Sequence, residues 1–266
     1  MNRHTAKITY AEAGAGAGAA PLICLHGIGG DTQSFRPQLD GLGDGLRVIA
    51  WNMPGYGGSA PLPETNFAAL SAALCQFMDD LGIKRAHIAG QSIGGMVAQD
   101  FALRFPERAA SLILIGTTPA FGGRDESFKQ AFLEARLGPL DAGATMAELA
   151  ASSAADIVGP IAGPHVIESV ARSMASVPEA TYRDILACLV TFNRRDDQQD
   201  IGQPCCLIAG SHDRNAPART MEKMAARLPD AEYHCIEGAG HMINLEAPER
   251  CNGIIRAFLT AHDDRI

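Results

Sequence analysis

The chain of 266 residues is long enough for one large domain or two small ones. Because 47% of its residues are hydrophobic and 20% are charged, it can bury a sizeable core, which excludes a largely disordered protein. Its 22 Lys and Arg residues against 30 Asp and Glu residues give a net charge of −8. With no basic run to offset that charge, we expect neither nucleic acid nor an anionic membrane as a partner.

The cysteines and the amino-terminal region bear on cellular location. Seven cysteines are scattered along the chain without a C-x-x-C pair, which is typical of a reducing compartment. The apolar stretch Ala11–Leu25 is interrupted by Gly14, Gly16, Gly18 and Pro21. We therefore predict no targeting or membrane-spanning segment and a cytoplasmic protein.

Seven short apolar runs alternate with longer amphipathic stretches, a pattern typical of βα units and a mostly parallel sheet. Most of the runs are continuously hydrophobic, as strands buried on both faces require. The Ala/Gly run Ala13–Ala20 predicts a flexible hairpin connection after the first strand. The predicted strands are Lys7–Glu12, Leu22–Leu25, Arg47–Trp51, Ala86–Ala89, Leu112–Ile115, Cys205–Ala209 and Glu232–Ile236.

Helical periodicity follows the predicted strands at Asn66–Leu81 and Ile93–Phe105. Between Pro119 and Gln203 the alternation stops, and only helical patterns remain, at Asp125–Leu137, His165–Ala175 and Pro178–Phe192. The sequence thus predicts an α/β fold, with a mostly parallel sheet covered on both faces. We expect residues 1–118 and 204–266 to form its core and residues 119–203 to form a helical lid inserted over the sheet.

A glycine-flanked serine marks the junction of a predicted strand and a predicted helix, in the segment Gly90-Gln91-Ser92-Ile93-Gly94. A strand that runs into a helix through one residue strains that residue, and its neighbours two positions away must lack side chains. Ser92 is then held at the carboxyl end of the sheet as a candidate nucleophile. The alternative is an ordinary glycine-rich helix start with Ser92 as its N-cap.

A serine nucleophile needs a base that is itself oriented by an acid. Asp213 follows the penultimate predicted strand and His241 follows the last, so both belong at the same edge as Ser92. The rival base His212 precedes the acid and does not follow the last strand. Three rival acids are less suited, because one lies far beyond the strand that precedes it and two lie in a charged linker. They are Asp125, Asp197 and Asp200.

With these motifs the chain resembles α/β-hydrolases, from about Leu22 to Pro119 and from Pro204 to Leu259. The order Ser, Asp, His is the family's order. Further matching segments are His26-Gly27-Ile28-Gly29-Gly30, Pro54-Gly55-Tyr56-Gly57-Gly58-Ser59 and His241-Met242-Ile243-Asn244-Leu245-Glu246-Ala247-Pro248-Glu249. One departure is Asn52, where the family usually has Asp, and we expect it to alter loop hydrogen bonding without removing a catalytic group.

The resemblance implies an oxyanion hole formed by the backbone N–H groups of Ile28 and Ile93, with His26 in a structural role. On its own, the glycine-rich loop is also compatible with a simple tight turn. Aromatic and methionine side chains of the lid suggest an apolar pocket lining, although helix packing explains any single one equally well. They are Phe121, Phe128, Phe132, Met146 and Met174.

The resemblance further implies a serine hydrolase that cleaves a small carboxylic ester or (enol-)lactone through an acyl-enzyme on Ser92. The segment after His241 is similar to that of the 3-oxoadipate enol-lactonase branch. Carbon–carbon bond hydrolases of ring-cleavage products are an alternative, but they favour Trp where this chain has Met242. Cofactor-free perhydrolase or haloperoxidase activity, and a ligand receptor on a hydrolase scaffold, also stay open.

Partners and cofactors follow from what the sequence does not contain. It has no Walker loop, no dinucleotide fingerprint and no spacing typical of metal ligands, so we expect neither a cofactor nor a metal. The expected partner is a small-molecule ester or lactone. The sequence leaves a homo-oligomer open.

Overall fold

One sheet organises the molecule, and the computed structural model describes residues 3–14, 20–122 and 126–262. Most of the predicted hairpin connection, residues 15–19, lies outside the described residues, as does Asp125. The strands are β1 Arg3–His4, β2 Thr9–Ala13, β3 Leu22–Leu25, β4 Val48–Trp51, β5 Ala86–Gln91, β6 Ala109–Ile115, β7 Cys205–Gly210 and β8 Ala231–Ile236.

The strands lie in the order β1-β2-β4-β3-β5-β6-β7-β8. β2 pairs antiparallel with β1 and β4, and from β4 through β8 all neighbours are parallel. The mostly parallel sheet is thereby confirmed. The bounds of β3 were predicted to the residue, whereas the prediction Lys7–Glu12 for β2 begins two residues early. The sequence did not predict β1, because Arg3–His4 offers no apolar run.

The central strands are buried on both faces, which explains their continuous hydrophobic sequences. In β3, Ile23 and Leu25 pack into one apolar cluster, while Leu22 and Cys24 pack into another on the opposite face. Side chains of the helices Phe67–Asp80, Ile93–Arg104 and Ala218–Ala225 fill the first cluster, and those of the helices Arg36–Leu42 and Pro248–Ala261 fill the second. The helices are α1 Arg36–Leu42, α2 Phe67–Asp80, α3 Ile93–Arg104, α4 Glu126–Asp141, α5 Met146–Ser153, α6 Pro164–Ala175, α7 Glu179–Leu189, α8 Ala218–Ala225, α9 Ile243–Glu246 and α10 Pro248–Ala261.

Between β6 and β7 the described chain is helical, with α4 to α7 in succession. This 119–203 segment leaves and rejoins the sheet at one place, because Ala120 and Asn193 form an isolated antiparallel bridge. The sequence did not predict α5, whose Ala- and Ser-rich residues carry little periodic signal. The division into a core and a lid stays a prediction. In the part of the chain that is described, no helix has both the length and the apolar character needed to cross a membrane.

Candidate active site

Ser92 joins β5 to α3 in a strained backbone conformation. Its φ of 56° makes it the one non-glycine residue with positive φ among the described residues. Such a conformation costs about 1–3 kcal/mol and persists only where the surroundings enforce it. Here the Ser92 N–H donates to the Ile115 carbonyl at 2.9 Å, and the Thr117 hydroxyl donates to the Ser92 carbonyl at 2.8 Å.

The two glycines that flank Ser92 are required by close backbone contacts. A Cβ atom at Gly90 would collide with the Gly94 carbonyl, and one at Gly94 would collide with the Leu25 carbonyl. Those carbonyls belong to backbone held by the sheet and by the start of α3, so neither can move aside cheaply. The glycines therefore allow the sharp turn that leaves Ser92 half-buried rather than enclosed.

Asp213 and His241 form a hydrogen-bonded pair at the same edge of the sheet. His241 Nδ1 lies 2.8 Å from Asp213 Oδ2, and the Asp213 side chain is completely buried. A carboxylate only accepts hydrogen bonds, so Nδ1 carries the proton and the Nε2 of a neutral ring is left as an acceptor. Gly116, which follows β6, packs against the pair, and a Cβ there would lie 3.2 Å from Asp213 Oδ2.

The surroundings of Asp213 keep it ionised. Burial by itself would raise the pKa of Asp213, but the electrostatic interaction and hydrogen bond with His241, together with two backbone hydrogen bonds, outweigh it and lower that pKa. The other oxygen, Oδ1, accepts from the backbone N–H groups of Asn215 and Ala216 at 2.8 and 2.9 Å. These bonds favour the charged form further and fix the orientation of the carboxylate.

Glu246, which the sequence analysis did not single out as functional, braces the loop that carries His241. Its Oε2 accepts from the backbone N–H groups of Gly240 and Gly159, and its Oε1 accepts from that of Met242. The carboxylate therefore binds the amides on both sides of His241. Because Gly159 lies in the 119–203 segment, the same group ties that segment to the His241 loop.

Two more contacts hold His241, and neither had a sequence signal. The Gln91 side-chain amide donates to the His241 carbonyl at 2.9 Å, and the His241 N–H donates to the Ile157 carbonyl at 2.7 Å. Gln91 immediately precedes Ser92, so the serine turn and the histidine loop are directly connected. Their relative position is thus set by the backbone and by one buried amide.

The glycine-rich loop after β3 brings backbone amides to the serine. The Gly30 N–H donates to the Gly27 carbonyl at 3.0 Å and closes a tight turn around Ile28. A Cβ at Gly27 would lie 3.1 Å from the Ser92 Cβ, so the loop passes beside the serine. Ile93 begins α3, where the first N–H groups lack intrahelical partners. Ile93 directly follows Ser92, and Ile28 follows the glycine that lies beside it, while the role of their N–H groups as oxyanion donors stays a prediction.

His26 uses both ring nitrogens within the protein. The Met53 N–H donates to His26 Nε2 at 3.0 Å, so the ring proton sits on Nδ1, which donates to the Gly27 carbonyl at 2.8 Å. Burial lowers the pKa of His26, which keeps the ring neutral. This geometry agrees with the structural role expected for His26.

Asn52, the departure from the family pattern, uses both polar atoms of its side chain in hydrogen bonds. Its Oδ1 accepts from the Thr32 N–H at 3.0 Å, while its Nδ2 donates to the Thr9 hydroxyl at 2.8 Å and faces the Gly57 carbonyl at 3.4 Å. An aspartate has no N–H to donate. The loop hydrogen bonding therefore depends on the amide.

Among the described residues, the rival groups are exposed or bonded to residues outside the pair. His212 is exposed and its Nδ1 contacts the Ser211 hydroxyl at 3.0 Å, whereas Asp197 binds Arg194. Asp200 is an exposed residue. Of the five side chains suggested as pocket lining, Met174 lines a cavity beside the glycine-rich loop, Met146 is buried in the core and Phe128 is 51% exposed.

One grouping of metal-ligating side chains, which the sequence analysis did not foresee, forms across two strands. Cys206 on β7 pairs with Glu232 on β8, and His234 lies two residues further on the same face, so the three ligand atoms fall within 4.8 Å of one another. His234 Nε2 and Glu232 Oε1 are 3.0 Å apart. The grouping lies at the opposite end of β7 from Asp213.

A small cavity beside the glycine-rich loop has a volume of about 30 Å³, enough for one or two water molecules. The loop from Gly27 to Gly30 forms one wall, α6 forms another, and Gln91, Met242 and Leu245 complete the lining. Gly29 has φ +74°, and a Cβ there would lie 3.1 Å from Met174 Cγ, which explains how closely the loop approaches α6.

Known proteins share this architecture. A family model described as alpha/beta hydrolase fold matches residues 20–248. The chain is 32% identical over 255 residues to the dihydrolipoyllysine-residue acetyltransferase component of the acetoin cleaving system from Pseudomonas putida. That match covers 93% of this chain but only 65% of that protein, so the chain spans less than two thirds of its length.

Two further likenesses extend over nearly the whole chain. The chain is 30% identical over 245 residues to a pimeloyl-(acyl-carrier protein) methyl ester esterase from Aromatoleum aromaticum, covering 88% of this chain and 96% of that protein. The crystal structure of the enol-lactonase from Burkholderia xenovorans has a TM-score of 0.86 at 22% identity, covering 98% and 100% of the two chains, which shows a shared fold. With the family match spanning most of its length, the chain belongs to the alpha/beta hydrolase fold family.

Proposed function

We propose that this hydrolase cleaves a small carboxylic ester or lactone through an acyl-enzyme on Ser92, in the cytoplasm and without a cofactor. One observation carries the proposal. The strained, half-buried Ser92 stands at the same sheet edge as the pair in which His241 Nδ1 lies 2.8 Å from Asp213 Oδ2. A nucleophile, a base with a free nitrogen and a buried acid are the parts that acyl transfer requires.

In the first half-reaction, Ser92 Oγ attacks the ester carbonyl while His241 Nε2 takes its proton. The positive charge of the imidazolium is stabilised by Asp213, which keeps its own negative charge. The negative charge that develops on the carbonyl oxygen meets the N–H groups of Ile28 and Ile93. Loss of one such donor costs about 3–4 kcal/mol in comparable enzymes.

Collapse of the tetrahedral intermediate breaks the bond to the leaving oxygen, which receives the proton from His241 Nε2 and departs as an alcohol. Water then attacks the acyl-enzyme, gives its proton to His241, and releases the acid with Ser92 restored. For a lactone the alcohol and the acid are one molecule. Each half-reaction therefore uses the same base and the same oxyanion donors.

The names of the relatives support acyl chemistry. One is called an acetyltransferase component and the other a methyl ester esterase, and both activities move an acyl group. The lactone part of the proposal is supported by the similarity of the segment after His241 to the enol-lactonase branch. Met242 follows His241 where carbon–carbon bond hydrolases favour Trp, so we propose ester or lactone cleavage ahead of that reaction.

The proposal is tested with purified wild type and Ser92→Ala on a panel of short-chain esters, lactones and ring-cleavage products. We expect multiple turnovers of esters or lactones by the wild type and none by the variant. A fluorophosphonate probe should label Ser92, as located by mass spectrometry, and Ser211→Ala is the matched control that keeps full labelling. Turnover of ring-cleavage products alone, or wild-type turnover by Ser92→Ala, would contradict the proposal.

A further inference from the structure

Cys206, Glu232 and His234 bring three different metal-ligating atoms together on one face of β7 and β8. Their sulfur, carboxylate oxygen and ring nitrogen all lie within 4.8 Å of one another, and His234 Nε2 is 3.0 Å from Glu232 Oε1. The two strands are paired in the sheet, with Cys206 opposite Glu232 and Ile208 opposite His234. The backbone therefore places the three side chains side by side before any ion binds.

The ligand types and their spacing match zinc. Zinc binds sulfur, nitrogen and oxygen ligands in a tetrahedron with bonds of about 2.0–2.3 Å, which places the ligand atoms roughly 3.3–3.7 Å apart. The separations in this grouping, from 3.0 Å to at most 4.8 Å, bracket those values. Calcium and magnesium favour all-oxygen sites, so a grouping with a cysteine sulfur suits them poorly. A thiolate and a carboxylate together also neutralise the charge of a divalent ion.

A groove beside the grouping gives an ion access from solvent. It has a volume of about 570 Å³, lies between β8 and α10, and has Glu232 and His234 in its lining. The side chains of Glu232 and His234 are 44% and 38% exposed, so both can take up an ion directly from water. Arg250, also in the lining, is exposed, and solvent screens its charge. The groove has room for a water molecule as a fourth ligand.

The sulfur of Cys206 is buried, and an ion reaches it through the two exposed ligands. Burial and the neighbouring Glu232 carboxylate raise the pKa of the Cys206 thiol, so the sulfur carries a proton when no metal is bound. An ion bound to Glu232 and His234 replaces that proton, which passes to water as the zinc–sulfur bond forms. At the imidazole, Nε2 becomes the ligand and the ring proton is held on Nδ1. The ion displaces an exposed carboxylate from the thiol, and the sheet stays closed.

We propose that Cys206, Glu232 and His234 form a zinc site, with water as the fourth ligand, that ties β8 to β7. Cys206 lies near the start of β7, whereas Asp213 follows the end of that strand, so the site is separate from Ser92 and independent of the proposed function. β8 is the last strand in the sheet order and pairs with β7. A metal bridge between them should stabilise this side of the sheet.

Titration calorimetry with Zn²⁺ tests the site on the full chain without an affinity tag. A Cys235→Ser background removes the exposed cysteine of β8. We expect one tight site per chain, whose affinity falls at least about 100-fold in His234→Ala and in Glu232→Ala, because loss of a direct ligand costs no less than loss of a partner behind it. His165→Ala and Glu237→Ala are the matched controls, since both residues are exposed and lie outside the grouping. Both should keep the background affinity.

Cobalt(II) reports on the sulfur. Its binding should produce the near-ultraviolet charge-transfer band of a thiolate–cobalt bond and the intense visible bands of tetrahedral coordination. Cys206→Ser should remove the charge-transfer band, whereas Cys205→Ser, whose side chain packs on the opposite face of the sheet, should keep it. If Cys206→Ser does not fold, as judged by circular dichroism, loss of both sets of bands in His234→Ala, a change at a partly exposed residue, decides the same point.

Thermal unfolding gives an independent measurement. Excess Zn²⁺ should raise the Tm of the wild type by several degrees and that of His234→Ala by less than about one degree. Three results would each overturn the site: no tight binding in the Cys235→Ser background, an affinity that the ligand substitutions leave unchanged, or a cobalt spectrum without the thiolate band. Ser92→Ala should bind zinc like the wild type, so absence of ester or lactone turnover would remove the proposed function and leave the zinc site standing.

Discussion

The carboxyl edge of the sheet and helix α6 differ in whether their buried polar groups have hydrogen-bond partners. At the edge, the buried groups satisfy one another. Asp213 accepts from His241 and two backbone amides, Glu246 accepts from three, and His26 uses both nitrogens. On α6 the buried hydroxyl of Ser173 has no described partner.

The difference shows which polar groups of the fold hold a reacting side chain. A saturated network fixes each side chain in one orientation, which is what pre-organised chemistry needs. An unsatisfied buried hydroxyl destabilises the fold and orients no neighbour. Variants at the edge should therefore reduce the rate for every substrate, whereas loss of the Ser173 hydroxyl should not.

The largest effect is expected at the edge, for Asp213→Asn. In the variant the backbone N–H groups of Asn215 and Ala216 keep the amide oxygen, so the NH2 group faces Nδ1 and donates to it. The ring proton then sits on Nε2, no base faces Ser92, and kcat should fall about 10⁴-fold while the fold is kept. Steady-state kinetics and circular dichroism check both parts. Asp197→Asn and Asp200→Asn, which lie away from the pair, should stay within a few-fold of wild type, and a reversal of this ranking would remove Asp213 as the acid.

Glu246→Gln should have the next largest effect. The glutamine keeps the shape, but one carboxylate oxygen becomes an NH2 group, which cannot accept from a backbone N–H, and the remaining oxygen is uncharged. The bonds to the amides on the two sides of His241 are therefore lost or weakened, and the imidazole loses its fixed position. We expect kcat to fall by up to about 100-fold, as for a misplaced catalytic group, with a smaller change in KM. Glu237→Gln, an exposed carboxylate nine residues earlier, is the control. Equal rates in Glu246→Gln and Glu237→Gln would show that the Glu246 carboxylate does not position His241.

Asp100→Asn tests a second saturated network, in which α3 is tied to the end of the 119–203 segment. Asp100 is fully buried and accepts from Arg104 at 2.6 Å, from Arg194 and from the Ser71 hydroxyl at 2.7 Å. The variant leaves both guanidinium groups without this partner, and because these are partly exposed we expect a loss of about 2 kcal/mol in the free energy of unfolding at pH 7. Urea unfolding measures it.

The pH dependence of that loss has a definite sign. Burial alone would raise the pKa of Asp100, but hydrogen bonds from Arg104, Arg194 and Ser71 lower it below its ordinary value. A carboxyl with a lowered folded pKa stabilises the protein above its unfolded pKa of about 3.9, and this contribution disappears as the pH falls through the folded pKa. The difference between wild type and Asp100→Asn should therefore shrink on acidification from about pH 5. A difference that grows would contradict this.

The sequence predicted the sheet and the three residues at its edge for identifiable reasons. Strands buried on both faces have continuous apolar sequences, and Ser92 has an unusual local requirement for glycines two positions away. Asp213 and His241 follow from their places after the last two strands. These signals are local, or they follow from topology alone.

The contacts that support the edge were not predictable in the same way. Ile157 accepts from His241 through a backbone carbonyl and Gly159 donates to Glu246 through a backbone amide, and any residue type supplies such groups. These two contacts join the edge to the 119–203 segment without a pattern in the sequence. The unpaired hydroxyl of Ser173 was equally hidden, because an unmade bond leaves no pattern in a sequence.

The smallest effect is expected for Asn52→Asp, which restores the family's usual residue at a saturated position. Asn52 Oδ1 can be replaced by a carboxylate oxygen toward the Thr32 N–H, but Nδ2 would become an oxygen facing the Gly57 carbonyl. The Thr9 hydroxyl, which donates to that carbonyl at 2.9 Å, would have to turn toward the new oxygen. We expect a loss of about 1 kcal/mol in the free energy of unfolding and kcat within about threefold of wild type, because no group at Ser92 changes.

Urea unfolding beside ester kinetics checks both, with Asn193→Asp as an exposed control. A fall in kcat as large as that of Glu246→Gln would mean that the Asn52 loop acts on the reacting groups.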